Sequence, residues 1–393
     1  MIRAGVRALA AASATALPAY ITDLPGLQIH ANAVRAALPD SVELFYAAKA
    51  NPQRAILETL DGLVDGIEVA SGGELQHVRD VLPEARLAFG GPGKSADDLE
   101  LAVKLGVERI HVESVHEVRL LADATERQQA EANVLLRVNL PLRLDDAALT
   151  MGGPFGMDPA AMAECTALLR IAPRLRFHGV HAHLASGLDA DQLARLAGEV
   201  VDLAKAWAER QNLPLREVNL GGGMDVDYTT PSVAFDWPDY GAALGELAEA
   251  NPDLRLRIEP GRSITAYCGY YAARVLDVKL SHGQAFAILH GGTHHLRTPV
   301  AKSHDQPFGI VPVERWHHPW PRPGVTDGPV TLVGQLCTPK DVFARDVPVQ
   351  SLKAGDVVVF ALAGAYAWNI SHHEFLMHPA PAFYNLGRGL GRS

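Results

Sequence analysis

At 393 residues the chain is too long for one small core and points to two domains. Hydrophobic residues make up 48% and charged residues 20%, an ordinary soluble globular composition. Lys and Arg number 35 against 45 Asp and Glu, and the net charge of -10 argues against nucleic acid or an anionic membrane as the main partner.

The opening stretch, Met1 to Ala19, places Arg3 and Arg7 before an alanine-rich run whose small and polar residues are weak for export, so the chain is read as cytoplasmic. No apolar stretch is long enough to suggest a membrane span. From about residue 25, short apolar runs alternate with Ala/Leu-rich helical stretches. The expected strands are Val42–Ala47, Gly66–Val69, Arg86–Phe89, Arg109–Val112, Val134–Val138, Phe177–His181, Glu217–Leu220 and Leu256–Ile258. Between them fall helices such as Pro52–Leu60, Gly73–Val81, Ala96–Leu105, Ser114–Arg127, Pro159–Ile171, Ala190–Arg210 and Tyr240–Glu249. This alternation reads as a parallel (β/α)8 barrel over residues 25–258, an α/β fold.

After Glu259 the pattern changes. Val275–Leu280, Ala285–Leu289, Val330–Val333 and Asp356–Phe360 are β-like runs parted by Gly and Pro. They predict an antiparallel β domain over 1–24 and 259–393, joined by a strand at Pro18–Thr22. The segment His304–Gly328, rich in Pro, His and Trp, is expected to be a long loop.

In a barrel of this kind chemistry collects at the C-terminal ends of the strands. Lys49, Arg137, His183, Gly221–Gly223 and Glu259 all fall at or just past such an end. Taken singly each has a bland reading, a solvated strand end or a turn. Together, a lysine, a glycine turn and Glu259-Pro260-Gly261-Arg262 are what a pyridoxal phosphate (PLP) enzyme needs. Lys49 would hold the aldehyde as a Schiff base. Gly221, Gly222, Gly223 and Arg262 would hold the phosphate. A carboxylate at Glu259 beside the ring nitrogen would keep it protonated and make the ring an electron sink, which favours decarboxylation over racemisation.

Other motifs are weighed against plainer readings. His181-Ala182-His183 could be a metal pair, but no acidic third ligand is obvious nearby, and no metal is assigned. His183 is read instead as lying flat on the cofactor ring, Ser186 as a phosphate contact and His181 as a satisfied core histidine. The pairs His294-His295, His317-His318 and His372-His373 are read mostly as loop histidines. Gly90-Gly91-Pro92-Gly93-Lys94-Ser95 lacks the leading glycine of a P-loop, with Ala88 in its place, and is read as a barrel loop running into a helix capped by Ser95. Three cysteines without CxxC spacing suggest neither a disulfide framework nor a zinc knuckle, and a reducing compartment fits. Cys337 is either a buried cysteine or a thiol that protonates the carbanion. Tyr366 is either an ordinary strand aromatic or a phenol on the phosphate.

These residues, in this order, resemble the fold-type III PLP-dependent decarboxylases, the group that holds ornithine and diaminopimelate decarboxylases. The matching stretches include Tyr46–Asn51, His181–Gly187, Asn219–Gly223, Glu259–Arg262, Gly334–Asp341 and Gly364–Tyr366. The resemblance implies that Arg137 braces the pocket and that Cys337 is the proton donor, supplied by the partner subunit of a homodimer. Glu68 stands where the family usually has aspartate. Two stretches, His290–Pro299 and Trp368–Pro379, depart from the diaminopimelate pattern and look like the branch that assembles carboxylate siderophores such as staphyloferrin B. That branch implies a citrate-linked substrate, citryl-diaminopropionate, with Arg297, Asp341, His372 and His373 as candidate contacts; the histidines equally suit plain loop positions. Diaminopimelate decarboxylation and a non-catalytic PLP carrier are the alternatives.

Overall fold

A computed structural model describes residues 2–12, 14–140 and 149–387. The chain divides into two compact units, Gln28–Asp225 with Phe235–Ile264, and Met1–Leu27 with Val226–Ala234 and Thr265–Ser393.

The first unit is a closed, all-parallel barrel. Its strands are β1 (Val42–Ala47), β2 (Gly66–Val69), β3 (Leu87–Phe89), β4 (Arg109–Val112), β5 (Ala132–Arg137), β6 (Leu175–His181), β7 (Glu217–Asn219) and β8 (Arg255–Ile258). They pair in sequence order, with β6 on β7 and β8 closing on β1. The expected eight strands are therefore present, each within a few residues of its forecast ends. Parallel strands are covered on both faces, and β2, β3 and β4 are buried along their whole length, Glu68, Arg109 and His111 included.

Six of the intervening helices begin at small polar residues. The side chains of Ser71, Ser95, Ser114, Asp158, Asp189 and Asp236 each accept the backbone N–H three residues on. Ser95 forms a full capping box with Asp98, as that loop predicted. At the N-terminal mouth, fully buried Arg257 meets Glu43 at 2.6 Å and Glu108 at 2.8 Å, and lies 3.9 Å over the Phe45 ring. Arg86 joins Glu43, and Arg109 joins Glu217. This network sits at the opposite end of the barrel from Lys49.

The second unit is an eight-stranded sheet. Its path runs Phe308–Val311, Val357–Phe360, Gly269–Ser281, Gln284–Leu289, Gly324–Val333, Val342–Lys353, and Ala19–Asp23 pairs with Gly269–Ser281 and with Ala382–Leu386. Two of its pairings are parallel, 286–288 on 331–333 and Ala19–Asp23 on Ala382–Leu386, so the sheet is mostly rather than wholly antiparallel. The expected loop His304–Gly328 holds the strand Phe308–Val311 and the start of Gly324–Val333. A cluster of Tyr20, Tyr271, Phe343, Phe360, Leu289 and Leu332 forms its core, with Phe343 and Phe360 rings 4.7 Å apart. Among the described residues no helix is long and apolar enough to cross a membrane.

Candidate active site

Lys49 follows β1 in the short 3-10 turn Ala48–Ala50. Its Nζ meets Glu68 Oε2 at 2.7 Å, and Glu68, on the inner end of β2, is buried. Gly90 makes room for this longer acid: a Cβ there would lie 2.9 Å from Glu68 Oε1. The end of β1 is tied to the Glu259 loop by the bond from the Ala47 N–H to the Pro260 carbonyl, 3.1 Å.

Glu259, just past β8, is buried among polar groups from three other strands. Asn219 Nδ2 donates to Glu259 Oε1 at 2.6 Å. His111 Nε2 stands 3.7 Å from Oε1 and His181 Nε2 3.6 Å from Oε2. Burial first, then the charge of Glu68, pushes the Glu259 acid up from the ordinary 4.5 to about 8, against the pull of the Asn219 bond. Burial also holds His111 and His181 far below the usual histidine range, so both rings are neutral. Two expectations change here. His181 is buried but not satisfied, since neither ring nitrogen has a hydrogen-bond partner among the described residues. An acidic neighbour does exist: His111, His181 and Glu259 bring ligand-type atoms within 4.8 Å of one another. The residue contacting His181 came from a strand far off in sequence, which spacing does not reveal.

The glycine turn follows β7. Gly221 and Gly223 have φ of +68° and +112°, and a Cβ on Gly223 would lie 2.5 Å from the Ala185 carbonyl oxygen, so only glycine fits. The Gly221 N–H donates to Asn219 Oδ1 at 2.9 Å and the Gly222 N–H to His183 Nδ1 at 3.2 Å. His183 is thus oriented by the turn it was expected to work beside. Its pKa falls to about 3 through burial, then through the charges of Lys49 and Arg137. Ser186 lies in the two-residue strand Ala185–Ser186, paired with Leu149–Thr150. Arg262 opens the short helix Arg262–Thr265.

Arg137 ends β5 as a buried cation. It bonds Glu113 Oε1 at 2.6 Å and lies 5.1 Å over Phe155, while Glu113 Oε2 accepts the Gly156 N–H at 3.0 Å. Lys94, in the glycine-rich loop, is also buried and pairs with Glu117 at 2.7 Å. Sequence reasoning missed Glu113, Glu117 and Asn219. The available signals were an acidic or amide residue at a strand end, for Glu113 and Asn219, and an acid in the first turn of the helix Val115–Gln128, for Glu117.

The other named residues belong to the sheet unit. Cys337 is exposed. Asp341 is buried, and its two oxygens accept the N–H groups of Thr293 at 2.6 Å and Leu336 at 2.8 Å, so it braces the turn carrying Cys337 rather than standing as an open carboxylate. Tyr366 has φ of +48°, and its carbonyl accepts the Thr298 hydroxyl at 2.9 Å. His373 stacks on Trp368 with ring centroids 3.5 Å apart, while His372 is partly exposed and Arg297 exposed. His294 and His295 are buried with their rings 3.9 Å apart, so they are core residues and not loop histidines.

A barrel that gathers a lysine, a positive-φ glycine turn and an acid–arginine loop at one end defines a PLP-barrel enzyme. The family model of the pyridoxal-dependent decarboxylases, pyridoxal binding domain, matches residues 26–266, and the chain belongs to that family. It is 40% identical to 2-[(L-alanin-3-ylcarbamoyl)methyl]-2-hydroxybutanedioate decarboxylase of Staphylococcus aureus, covering 93% of each chain. It is 30% identical to an L-glutamyl-acyl-carrier-protein decarboxylase of Niallia circulans, over 93% of this chain and 87% of that one. The structure of Helicobacter pylori diaminopimelate decarboxylase complexed with L-lysine shares the fold, with TM-score 0.85 at 24% identity over 96% of this chain and 94% of that one. The chain is a PLP-dependent decarboxylase, and its barrel residues suit that cofactor: an amine beside a buried acid, a turn that admits only glycine, and a buried carboxyl just past β8.

Proposed function

We propose that the chain removes the α-carboxylate of a citrate-linked L-amino acid of the citryl-diaminopropionate kind, in the assembly of a carboxylate siderophore. The observation that carries this is the 40% identity, over 93% of both chains, to an enzyme whose name describes such an amide of citrate. Diaminopimelate decarboxylases stand further off, at 31% identity or below among those compared.

When bound, pyridoxal phosphate supplies a ring that accepts the electron pair left behind as carbon dioxide departs. The protein's own residues do the rest. Lys49 would hold the cofactor through its amine, with Glu68 as its counter-ion. Glu259 holds the proton at the ring nitrogen. His183, neutral, packs against the ring face, and Ser186, Gly221–Gly223, Arg262 and Tyr366 take the phosphate. The partner subunit's Cys337 returns a proton to the α-carbon. Arg297, His372 and His373 are the side chains offered to the extra carboxylates. Three unpaired thiols support a reducing, cytoplasmic setting.

A carbon dioxide release assay decides the substrate. Citryl-diaminopropionate should be turned over at least a hundredfold more efficiently than diaminopimelate, lysine or ornithine, a gap that unpaired buried polar groups readily produce. Comparable rates on diaminopimelate would assign the chain to lysine synthesis instead.

A further inference from the structure

We infer that Asn219 is a positioning residue that aims Glu259 and ties it to the glycine turn, so that one side chain registers both ends of the cofactor. This rests on the reading that Glu259 faces the ring nitrogen and Gly221–Gly223 the phosphate. Asn219 closes β7 and is fully buried at 0% exposure. Its carbonyl accepts the Ala182 N–H at 2.8 Å, so strand pairing fixes where the residue stands.

A side-chain amide has an oxygen that only accepts and a nitrogen that only donates. The Gly221 N–H can meet only the oxygen, and it does so at 2.9 Å. The amide is thereby oriented, and its nitrogen must face the other way. There it donates to Glu259 Oε1 at 2.6 Å, with His111 Nε2 3.4 Å away to share its second hydrogen. The Glu259 N–H also donates to the Gly221 carbonyl at 2.7 Å, so acid and turn are joined through backbone and side chain alike. With Oε1 engaged by Asn219, Oε2 is the oxygen that would be offered to the ring nitrogen; His181 Nε2, 3.6 Å from it, is beyond hydrogen-bond reach.

Aspartate at this position separates the two duties. It keeps an acceptor for Gly221, loses the donor for Glu259 and sets two buried carboxylates against each other. The experiment prepares Asn219→Asp, Asn219→Ala, Glu259→Gln and the double variants as PLP-loaded enzymes. It measures kcat, the PLP dissociation constant and the pH at which the bound cofactor's visible absorbance titrates. Asn219→Asp should lower kcat about ten- to hundredfold, the scale of a lost bond to a charged group, and move the titration to higher pH. In the Glu259→Gln background it should cost no more than about twofold, because the partner it acts through is already neutral.

Wild-type kcat and an unmoved titration in Asn219→Asp, with only cofactor affinity reduced, would confine Asn219 to the glycine turn and overturn the inference. Should Asn219→Asp not fold, Asn219→Ala decides by the same cycle: equal kcat losses in the native and Glu259→Gln backgrounds overturn it. Failure of the underlying reading is recognised separately. There, Glu259→Gln itself would leave kcat and the titration unchanged.

Discussion

Lys49 gains its chemistry from where β1 ends. Lys49 Nζ sits 2.7 Å from Glu68 Oε2, and this buried acid holds the amine at the strand end where it would anchor the cofactor. Lys49→Ala should therefore give a colourless protein after incubation with pyridoxal phosphate and no measurable turnover; a coloured, active variant would refute the anchoring role. Glu259 has a second, thermodynamic signature. Its acid form is favoured in the folded chain, with a pKa near 8 against 4.5 for an ordinary glutamate. In the cofactor-free protein that stabilisation is fully present below pH 4.5 and is lost as pH rises through about 8. Melting temperature should therefore fall more steeply across this window in the native chain than in Glu259→Gln, and parallel curves would show that Glu259 is not held as an acid. Lys49, Gly221–Gly223 and Glu259 stood out in the sequence as a set, because all fall at strand ends of one barrel although each alone reads as a solvated strand end or a turn. Asn219, His111 and Glu113 were not. They gain meaning only from partners 40, 148 and 24 residues away, which barrel closure brings together.

At the level of elements, the mouth opposite Lys49 holds the barrel shut. Burial alone would raise the Glu108 acid, but hydrogen bonds and charges from Arg86 and Arg257 outweigh it and carry it down to about 2. This contribution is present above the ordinary 4.5 and is lost as pH falls through about 2. Arg257→Leu would leave Glu43, Glu108 and Glu217 without their shared cation. The expected cost is about 3–5 kcal/mol, read from urea unfolding of the cofactor-free protein. A loss below about 1 kcal/mol would mean that Arg86 and Arg109 compensate. The barrel strands were readable because short β-branched or apolar runs alternate regularly with Ala/Leu-rich helical stretches. The sheet unit was less so. Val342–Lys353 carries Arg345, Asp346, Gln350 and Ser351 at exposed positions, and Phe308–Val311 is four residues long within a Pro- and Trp-rich segment. Neither offers the apolar density by which a strand is recognised, and both are fixed by pairing instead.

At the scale of the whole molecule, the sheet unit carries a set of exposed apolar side chains. Ile370, Phe375, Leu376 and Met377 are 38%, 41%, 45% and 91% exposed, and Leu376 and Met377 hold φ of +58° and +56°, a backbone region that costs side-chain-bearing residues energy. In the proposed homodimer, exposed apolar residues of this kind are the surface expected to be covered. Light scattering should accordingly give twice the 42.1 kDa chain mass, and Met377→Asp should shift the equilibrium towards monomer. If the partner subunit's Cys337 completes each site, subunit mixing gives a sharper test. Lys49→Ala and Cys337→Ala homodimers should each be nearly inactive. Mixed and allowed to exchange, half of the dimers become hybrids, and each hybrid holds one site with both native residues. Activity should then recover to roughly a quarter of wild type, as statistical mixing of a two-fold dimer requires. A mixture that stays as inactive as its components, despite proven exchange, would mean that Lys49 and Cys337 act within one subunit.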